Sequence, residues 1–391
     1  MKFYYPQKLQ NYKSSEKCLN DNYYSYSMKY ILVSFLLFSV TINAQSKTML
    51  DNQLDSLFGS YFKNDEPGGA VLLLKDNKVV WKRSYGVSDI ETKEKVTTNT
   101  LFNVGSISKT VVAYGILKLA AEKKLSLDDN LYKYFPDFRS REIAEKVKIY
   151  HLLTHTSGIP DSRKVKEEND FYLIAKDEEN FAPLKATTNL DFEPGTKYKY
   201  SNPCFNGLAL IIEKVSGMKW QDFIKQNIFN PAGMKTSDIT DGSHPATGVS
   251  HGHIKNNKGK FKELDYGEEP TFAAAGNGGV WSSVEELWLY EQAIQKSSFI
   301  SSDWITVSRT IYPFLNWKDA VPQRLGLSWF LTKEMNMNMI GHTGSQGGFI
   351  SDYCWLPTQK VFYVLLCNTP KPIIEIRNNV FTLLSQHKWL D

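Results

Sequence analysis

Strand-like stretches stand at the two ends of this chain, and a largely helical region separates them. Ala70–Lys75 and Lys78–Ser84 are apolar-rich runs joined by Asp76-Asn77, the pattern of a β-hairpin with a short polar turn. Toward the other end, Leu325–Thr332, Met337–Gly341, Gly348–Trp355 and Lys360–Leu366 read as matching strands, the last two joined around Pro357-Thr358-Gln359. Val380, Phe381, Leu383 and Leu384 then fall at helical spacing in a closing helix. Strands at both ends with helices between them predict one antiparallel sheet assembled from both termini. The fold class expected is therefore α/β of the α+β type. Residues 45–135 and 275–391 form the mixed sheet part with flanking helices, and 136–274 a mainly helical subdomain of the same domain.

Within the helical part, Ile149–Leu153 begins a helix that Gly158 and Pro160 bring to a stop. Asp161–Asn189 is charged and without steady period, which predicts a long surface excursion shaping one wall of a substrate site. Asn206–Val215 carries Leu208, Leu210, Ile211 and Ile212 on a core-facing side of a second helix. Gly276-Asn277-Gly278-Gly279 reads as a tight turn rather than a phosphate cradle, since no strand and lysine at phosphate-loop spacing accompany it. It leads into Ser282-Ser283-Val284-Glu285-Glu286, whose Ser-x-x-Glu spacing is a capping box.

Leu101–Ala120 concentrates the chemistry. After Gly105 the apolar residues Ile107, Val111, Ile116 and Leu119 keep helical spacing, which puts Ser106 at a helix start and Lys109 one turn later on the same face. The free N–H groups and positive dipole end of that first turn favour negative charge beside the hydroxyl. A serine, an amine and an anion-stabilising backbone are what an acyl-transfer nucleophile requires, because an unassisted hydroxyl is too weakly acidic to attack a carbonyl. Ser-x-x-Lys alone discriminates little, for it also occurs at Ser14, Ser60, Ser216 and Ser385. Two rarer patterns follow Ser106 in order: Tyr200-Ser201-Asn202, the one Tyr-x-Asn of the chain, and His342-Thr343-Gly344, its one Lys/His-Thr-Gly.

With these motifs, and the phrases His151-Leu152-Leu153-Thr154-His155-Thr156-Ser157-Gly158 and Pro194-Gly195-Thr196, the sequence resembles the serine β-lactamase and penicillin-binding superfamily. The similarity is to its class C-like branch, which holds DD-peptidases and class-C-like esterases, and it runs over essentially all of residues 45–391. The resemblance implies a β-lactamase/transpeptidase-like fold with the site in the cleft between its two parts. It makes Ser106 the nucleophile, gives the proton work to Lys109 and Tyr200, and has Asn202 position the substrate amide or Lys109. His342, Thr343 and Gly344 would line the substrate, and the N–H groups of Ser106 and Ser345 would form the oxyanion hole. A phenol serves as base only if nearby cations stabilise its anion, a task that falls to Lys109. The implied function is hydrolysis of an amide or ester through an acyl-enzyme. Peptidoglycan-type peptides, D-amino-acid amides or small esters lead as substrates, with weak β-lactam hydrolysis. The alternatives are a penicillin-recognising sensor that acylates without turnover, or a non-catalytic scaffold.

Met28-Lys29-Tyr30 followed by the apolar run Ile31–Ala44 reads as a secretory signal cleaved after Ala44, too short for a comfortable membrane span. The expected setting is the cell envelope, in the periplasm. The leader's five lysines and two acids account for most of the net charge of +4, leaving +1 and no electrostatic case for nucleic acid. Cys204, Cys354 and Cys367 are too widely spaced for a disulfide scaffold or zinc site and are expected as buried small hydrophobes. His251-x-His253 lacks a third ligand and is read as a solvated loop, so no metal or cofactor is implied. His151 and His155 are expected to cap and tether the helix end, Tyr198 to be no base, and Gly347-Gly348 to let substrate lie against a strand edge. His342 replaces the lysine common at its position; an imidazole of ordinary pKa would favour β-lactams only as pH falls toward 6.

Overall fold

The computed structural model describes residues 48–163, 174–239, 248–263 and 275–390. The chain divides into two units, residues 1–56 and 57–391; in the first, residues 48–56 are helical, and the expected leader lies outside the described residues.

Among its described residues the second unit carries eleven strands: β1 Gly69–Lys75, β2 Lys78–Tyr85, β3 Phe102–Asn103, β4 Asp238–Ile239, β5 His253–Lys255, β6 Phe261–Glu263, β7 Val280–Ser282, β8 Phe330–Glu334, β9 Met337–Gln346, β10 Phe349–Leu356 and β11 Val361–Cys367. Six form one antiparallel sheet in the order β2-β1-β11-β10-β9-β8, joining strands from both ends of the chain as the sequence predicts. β1 and β11 are buried along nearly their whole length, consistent with their apolar composition and central place. Two-residue turns with positive φ close the hairpins: Asp76-Asn77, Met335-Asn336 and Gly347-Gly348. The last pair forms the β9–β10 turn, at the end of the strand that carries the His-Thr-Gly motif.

Two strand boundaries differ from the sequence reading. The run Leu325–Thr332 is not one strand, because Ser328 adopts φ +70° and Leu325 bridges back to Phe330, so β8 begins only at Phe330. β9 extends past Gly341 to Gln346, which carries the His-Thr-Gly motif on a strand.

The helices that frame the site are α1 Ser108–Ala121, α2 Ile149–Leu153, α3 Asp177–Lys185, α4 Asn202–Ser216, α5 Val284–Gln295 and α6 Ile373–Gln386. α1 is buried on almost every face, the behaviour of a helix enclosed within the core. Gly115 makes one crossing close: a Cβ there would meet Ile212 Cδ1 of α4 at 2.8 Å. α3 lies inside the stretch expected to be an irregular excursion. Its buried positions Asp177, Asn180, Phe181 and Leu184 keep helical spacing, but two are polar and Pro183 interrupts the pattern. Ser283 caps α5 by accepting from Glu286 N–H, as the Ser-x-x-Glu signal predicts. The Glu286 carboxylate turns instead to the N–H groups of Thr236 and Ser237. His253 is buried on β5 rather than in a solvated loop, while His251, just before that strand, is partly exposed and meets Glu263 at 2.7 Å. Cys204, Cys354 and Cys367 are free and buried. Among the described residues no helix is long and apolar enough to cross a membrane.

Candidate active site

Asn103, at the end of β3, accepts the Gly105 N–H through Oδ1 at 2.9 Å and turns the chain sharply. Gly105 takes φ +52° and opens a 3-10 turn, Gly105–Ile107, that leads straight into α1. Ser106 therefore sits at the start of the helical run, as its sequence context predicts, and Lys109 follows within the first turn of α1. Lys109 Nζ lies 2.9 Å from Ser106 Oγ and donates to the Asn277 carbonyl at 2.6 Å.

No carboxylate pairs with Lys109 among the described residues. Burial, reinforced by the Arg163 guanidinium, holds its pKa well below the usual lysine range. Arg163 is itself forked onto Asp161 and bonded to Asn180. Both influences weaken the amine's hold on its proton relative to an ordinary lysine.

Tyr200 stands against this pair, with Lys109 Nζ 5.2 Å from its ring centroid and the Ser106 hydroxyl hydrogen-bonded to its phenol. Burial raises the phenol's pKa, only the Ser106 bond opposing it and Tyr198 adding to it. The expectation that a charged Lys109 keeps Tyr200 acidic is corrected here: with the amine desolvated, the phenol remains a proton donor. Tyr198 is pushed to about 12 by burial and packs edge-on to His155 and Phe330. Asn202 is the first residue of α4, and its amide makes no hydrogen bond among the described residues, Lys109 included.

The third wall is β9. Its pairing with β8 ends at Gly341, while its pairing with β10 runs on to Gln346. Gln346 and Phe349 close the hairpin, so alternation leaves the N–H groups of Thr343 and Ser345 facing away from β10, on an open edge. That edge meets the nucleophile turn closely: a Cβ on Gly105 would lie 2.7 Å from Ser345 N, and one on Gly344 would lie 3.0 Å from Ser106 N and 2.1 Å from Val104 O. Two glycines bring the backbones together and set the Ser106 and Ser345 N–H groups beside one another, the arrangement an oxyanion needs.

Thr343 and Ser345 are exposed, whereas His342 is turned inward and packs against Phe330. His342 Nδ1 donates to the Thr343 carbonyl at 2.6 Å. Burial, then Lys109, press its pKa down to about 3. His342 is thus neutral throughout the working range and gives no cation at pH 6, contrary to the expectation drawn from an ordinary imidazole.

Several contributors carry no sequence signal. Asn277 supplies a backbone carbonyl, which no side-chain pattern could announce. Asn206 donates to Asn277 Oδ1 at 3.0 Å and to Asp177 Oδ1 at 2.7 Å. The two histidines expected as tethers do tether: Lys148 N–H donates to His151 Nδ1, and Ser201 N–H to His155 Nδ1. No cluster of three or more His, Cys, Asp or Glu with metal-holding geometry occurs among the described residues.

The Beta-lactamase family model matches residues 51–382. Penicillin-binding protein 4* of Bacillus subtilis (strain 168) is 31% identical over 260 residues, 63% of this chain and 56% of that protein. A D-aminopeptidase of Brucella anthropi is 26% identical over 291 residues, 72% of this chain and 52% of that protein. The chain thus spans about half the length of the curated relatives it matches. The octameric penicillin-binding protein homologue from Pyrococcus abyssi superposes with a TM-score of 0.71 at 25% identity, covering 88% of this chain and 77% of that one.

Proposed function

This chain belongs to the Beta-lactamase family, and on that footing we propose that it is an exported serine hydrolase that acylates Ser106 and releases the acyl group to water. The observation that carries the reading is the 2.9 Å contact between Ser106 Oγ and a lysine amine whose pKa burial lowers. Ser106 Oγ attacks the substrate carbonyl carbon as its proton passes to Lys109 Nζ. The resulting oxyanion accepts from the Ser106 and Ser345 N–H groups. Tyr200 hands its phenolic proton to the leaving nitrogen or oxygen and is reprotonated from Lys109. Water then attacks the ester, gives its proton to Lys109, and Ser106 departs with that proton. In this reading Asn202, at the head of α4 and without a hydrogen bond among the described residues, and exposed Thr343 receive substrate polar groups.

The substrate class favoured is a D-amino-acid amide or peptidoglycan-type peptide, with small esters next. The D-aminopeptidase relative supports the first. A neutral, inward-facing His342 supports only weak β-lactam hydrolysis, since the β-lactam carboxylate finds no cation there. The second reading, acylation without turnover, draws on the relative named as a penicillin-binding protein. The leader supports export to the periplasm; a native chain retaining residues before Gln45 would count against it.

The test is labelling with a fluorophosphonate and a fluorescent penicillin, peptide mapping, and turnover of paired D- and L-amino-acid amides and a nitrophenyl ester. Label on Ser106 with steady turnover supports the hydrolase. A burst without turnover supports the second reading, and label on any other serine overturns both.

A further inference from the structure

Among the described residues Lys109 Nζ is held on Ser106 by one protein carbonyl, that of Asn277, and this carbonyl belongs to a short turn, not to a strand or helix. The turn needs fastening, and Asp177 supplies it. Its Oδ1 accepts the Gly276 N–H at 2.9 Å and the Asn206 amide at 2.7 Å. The same Asn206 nitrogen reaches Asn277 Oδ1 at 3.0 Å, so both of its hydrogens are committed. A single carboxylate oxygen therefore ties the turn to α4, the helix that also begins with Asn202.

Asp177 is 5% exposed and has no cation within ion-pair distance among the described residues. It helps to line a surface crevice of about 30 Å³, room for a single water, together with Lys176, Glu178, Glu213, Lys219 and Trp220. A buried carboxylate without a counter-charge is a costly fastening unless its stronger hydrogen bonds serve a purpose. Its position, two hydrogen bonds from the lysine that deprotonates the nucleophile, names the purpose.

We propose that Asp177 is a positioning residue for the general base, fixing the 276–277 turn and the Asn206 amide so that the Asn277 carbonyl keeps Lys109 Nζ on Ser106. This rests on the reading of Lys109 as the base that activates Ser106. Asp177 touches neither substrate nor the reacting atoms; its effect passes through Asn206, Gly276 and Asn277.

The experiment measures the acylation rate constant per active site, using fluorophosphonate burst amplitude to count competent sites in the wild type, Asp177→Ala, Asp177→Asn and Asn277→Ala. Asp177→Ala should lose 30-fold or more in rate constant with KM changed less than threefold, on the order of 2 kcal/mol at the transition state. Asp177→Asn keeps an acceptor oxygen and should recover to within about fivefold of wild type. Asn277→Ala cuts the same tie from the other end, should show the same split, and decides the matter if Asp177→Ala does not fold. Fully competent sites that acylate at the wild-type rate in Asp177→Ala or Asn277→Ala overturn the inference, since a purely structural role would lower only the number of sites. Failure of the wild type to label at Ser106 overturns the hydrolase reading instead, so the two failures are distinguishable.

Discussion

The imidazole of His155 lies 4.2 Å from the phenol ring of Tyr200, the planes 27° from parallel. His155 adopts φ +56°, a left-handed conformation that costs a non-glycine residue on the order of 1 kcal/mol. The strain is offset on both sides: its carbonyl accepts Lys199 N–H at 3.0 Å and its Nδ1 accepts Ser201 N–H at 3.1 Å. The residues before and after Tyr200 are therefore both bonded to His155, and the ring between them is stacked on it.

His155→Ala should accordingly lower both thermal stability and kcat, the latter by about tenfold, since it removes the stack and leaves a buried N–H without its acceptor, a loss of roughly 1–3 kcal/mol. His155→Asn restores an acceptor and tolerates positive φ, so its melting temperature should lie closer to wild type. A His155→Ala protein with unchanged kcat and melting temperature would remove His155 from the account of Tyr200.

Lys109→Ala and Tyr200→Phe should each cost roughly 10²–10⁴ in kcat/KM. The double variant should be little worse than either, because residues sharing one proton path are not additive. Tyr198→Phe is the control and should lie near wild type. Strictly multiplicative losses in the steady-state rates would mean two independent roles.

Gly344→Ala should lose about 10²–10³ in kcat, comparable to removing an oxyanion donor. The added Cβ would fall 2.1 Å from Val104 O and 2.4 Å from Ser351 Oγ, so β9 must retreat from the nucleophile turn and take Ser345 N–H with it. Retained kcat would show that the two N–H groups do not act together.

Because His342 is held neutral down to about pH 3, the ratio of β-lactam to neutral-ester hydrolysis should not rise between pH 8 and pH 6. His342→Lys should raise that ratio if the new amine stays charged, and hydrolysis of a chromogenic cephalosporin beside a nitrophenyl ester reads it directly. A rise on acidification in the unmodified protein would show that the imidazole protonates after all.

The same burial gives stability a sign. His151 and His342, both lowered to about 3 chiefly by burial, bind protons in the unfolded chain below about 6.5 but not in the folded one. Acidification from 6.5 toward 3 therefore favours unfolding, by about 1.4 kcal/mol per pH unit for each histidine. Asp177, raised to about 7 mainly by burial, acts in the opposite sense, binding its proton in the folded state between its ordinary carboxylate range and 7. His342→Gln should flatten the acid limb of urea-unfolding free energy against pH by one histidine's share, and an unaltered slope would contradict the assignment.

That Ser106, Lys109 and Tyr200 stand together was legible in their motif spacing, and the sheet was legible because alternating and continuous apolar runs mark strands. What escaped the sequence has a common physical cause. Asn277 acts through its backbone, Asp177 and Asn206 through burial, and the β8 boundary through one positive φ at Ser328. The protonation states of His342 and Tyr200 also depend on burial that no linear pattern reports. Residue type there suggested an acidic shift for the phenol and an ordinary imidazole, and desolvation reversed the first and suppressed the second.

The pairing of β1 with β11 has a consequence for how activity arises as the chain is made. Gly69 registers with Cys367, so the centre of the sheet closes only across nearly the whole length of the domain, a contact of high sequence separation and slow formation. A nascent chain that has passed Tyr200 already owns the nucleophile, the amine and the phenol, yet it lacks Ser345 and any partner for the second edge of β1. Such a chain holds only one of the two N–H groups proposed to bind the oxyanion. On the proposed mechanism, acylating power would therefore arise only once the last strands are in place, rather than accumulate along the chain.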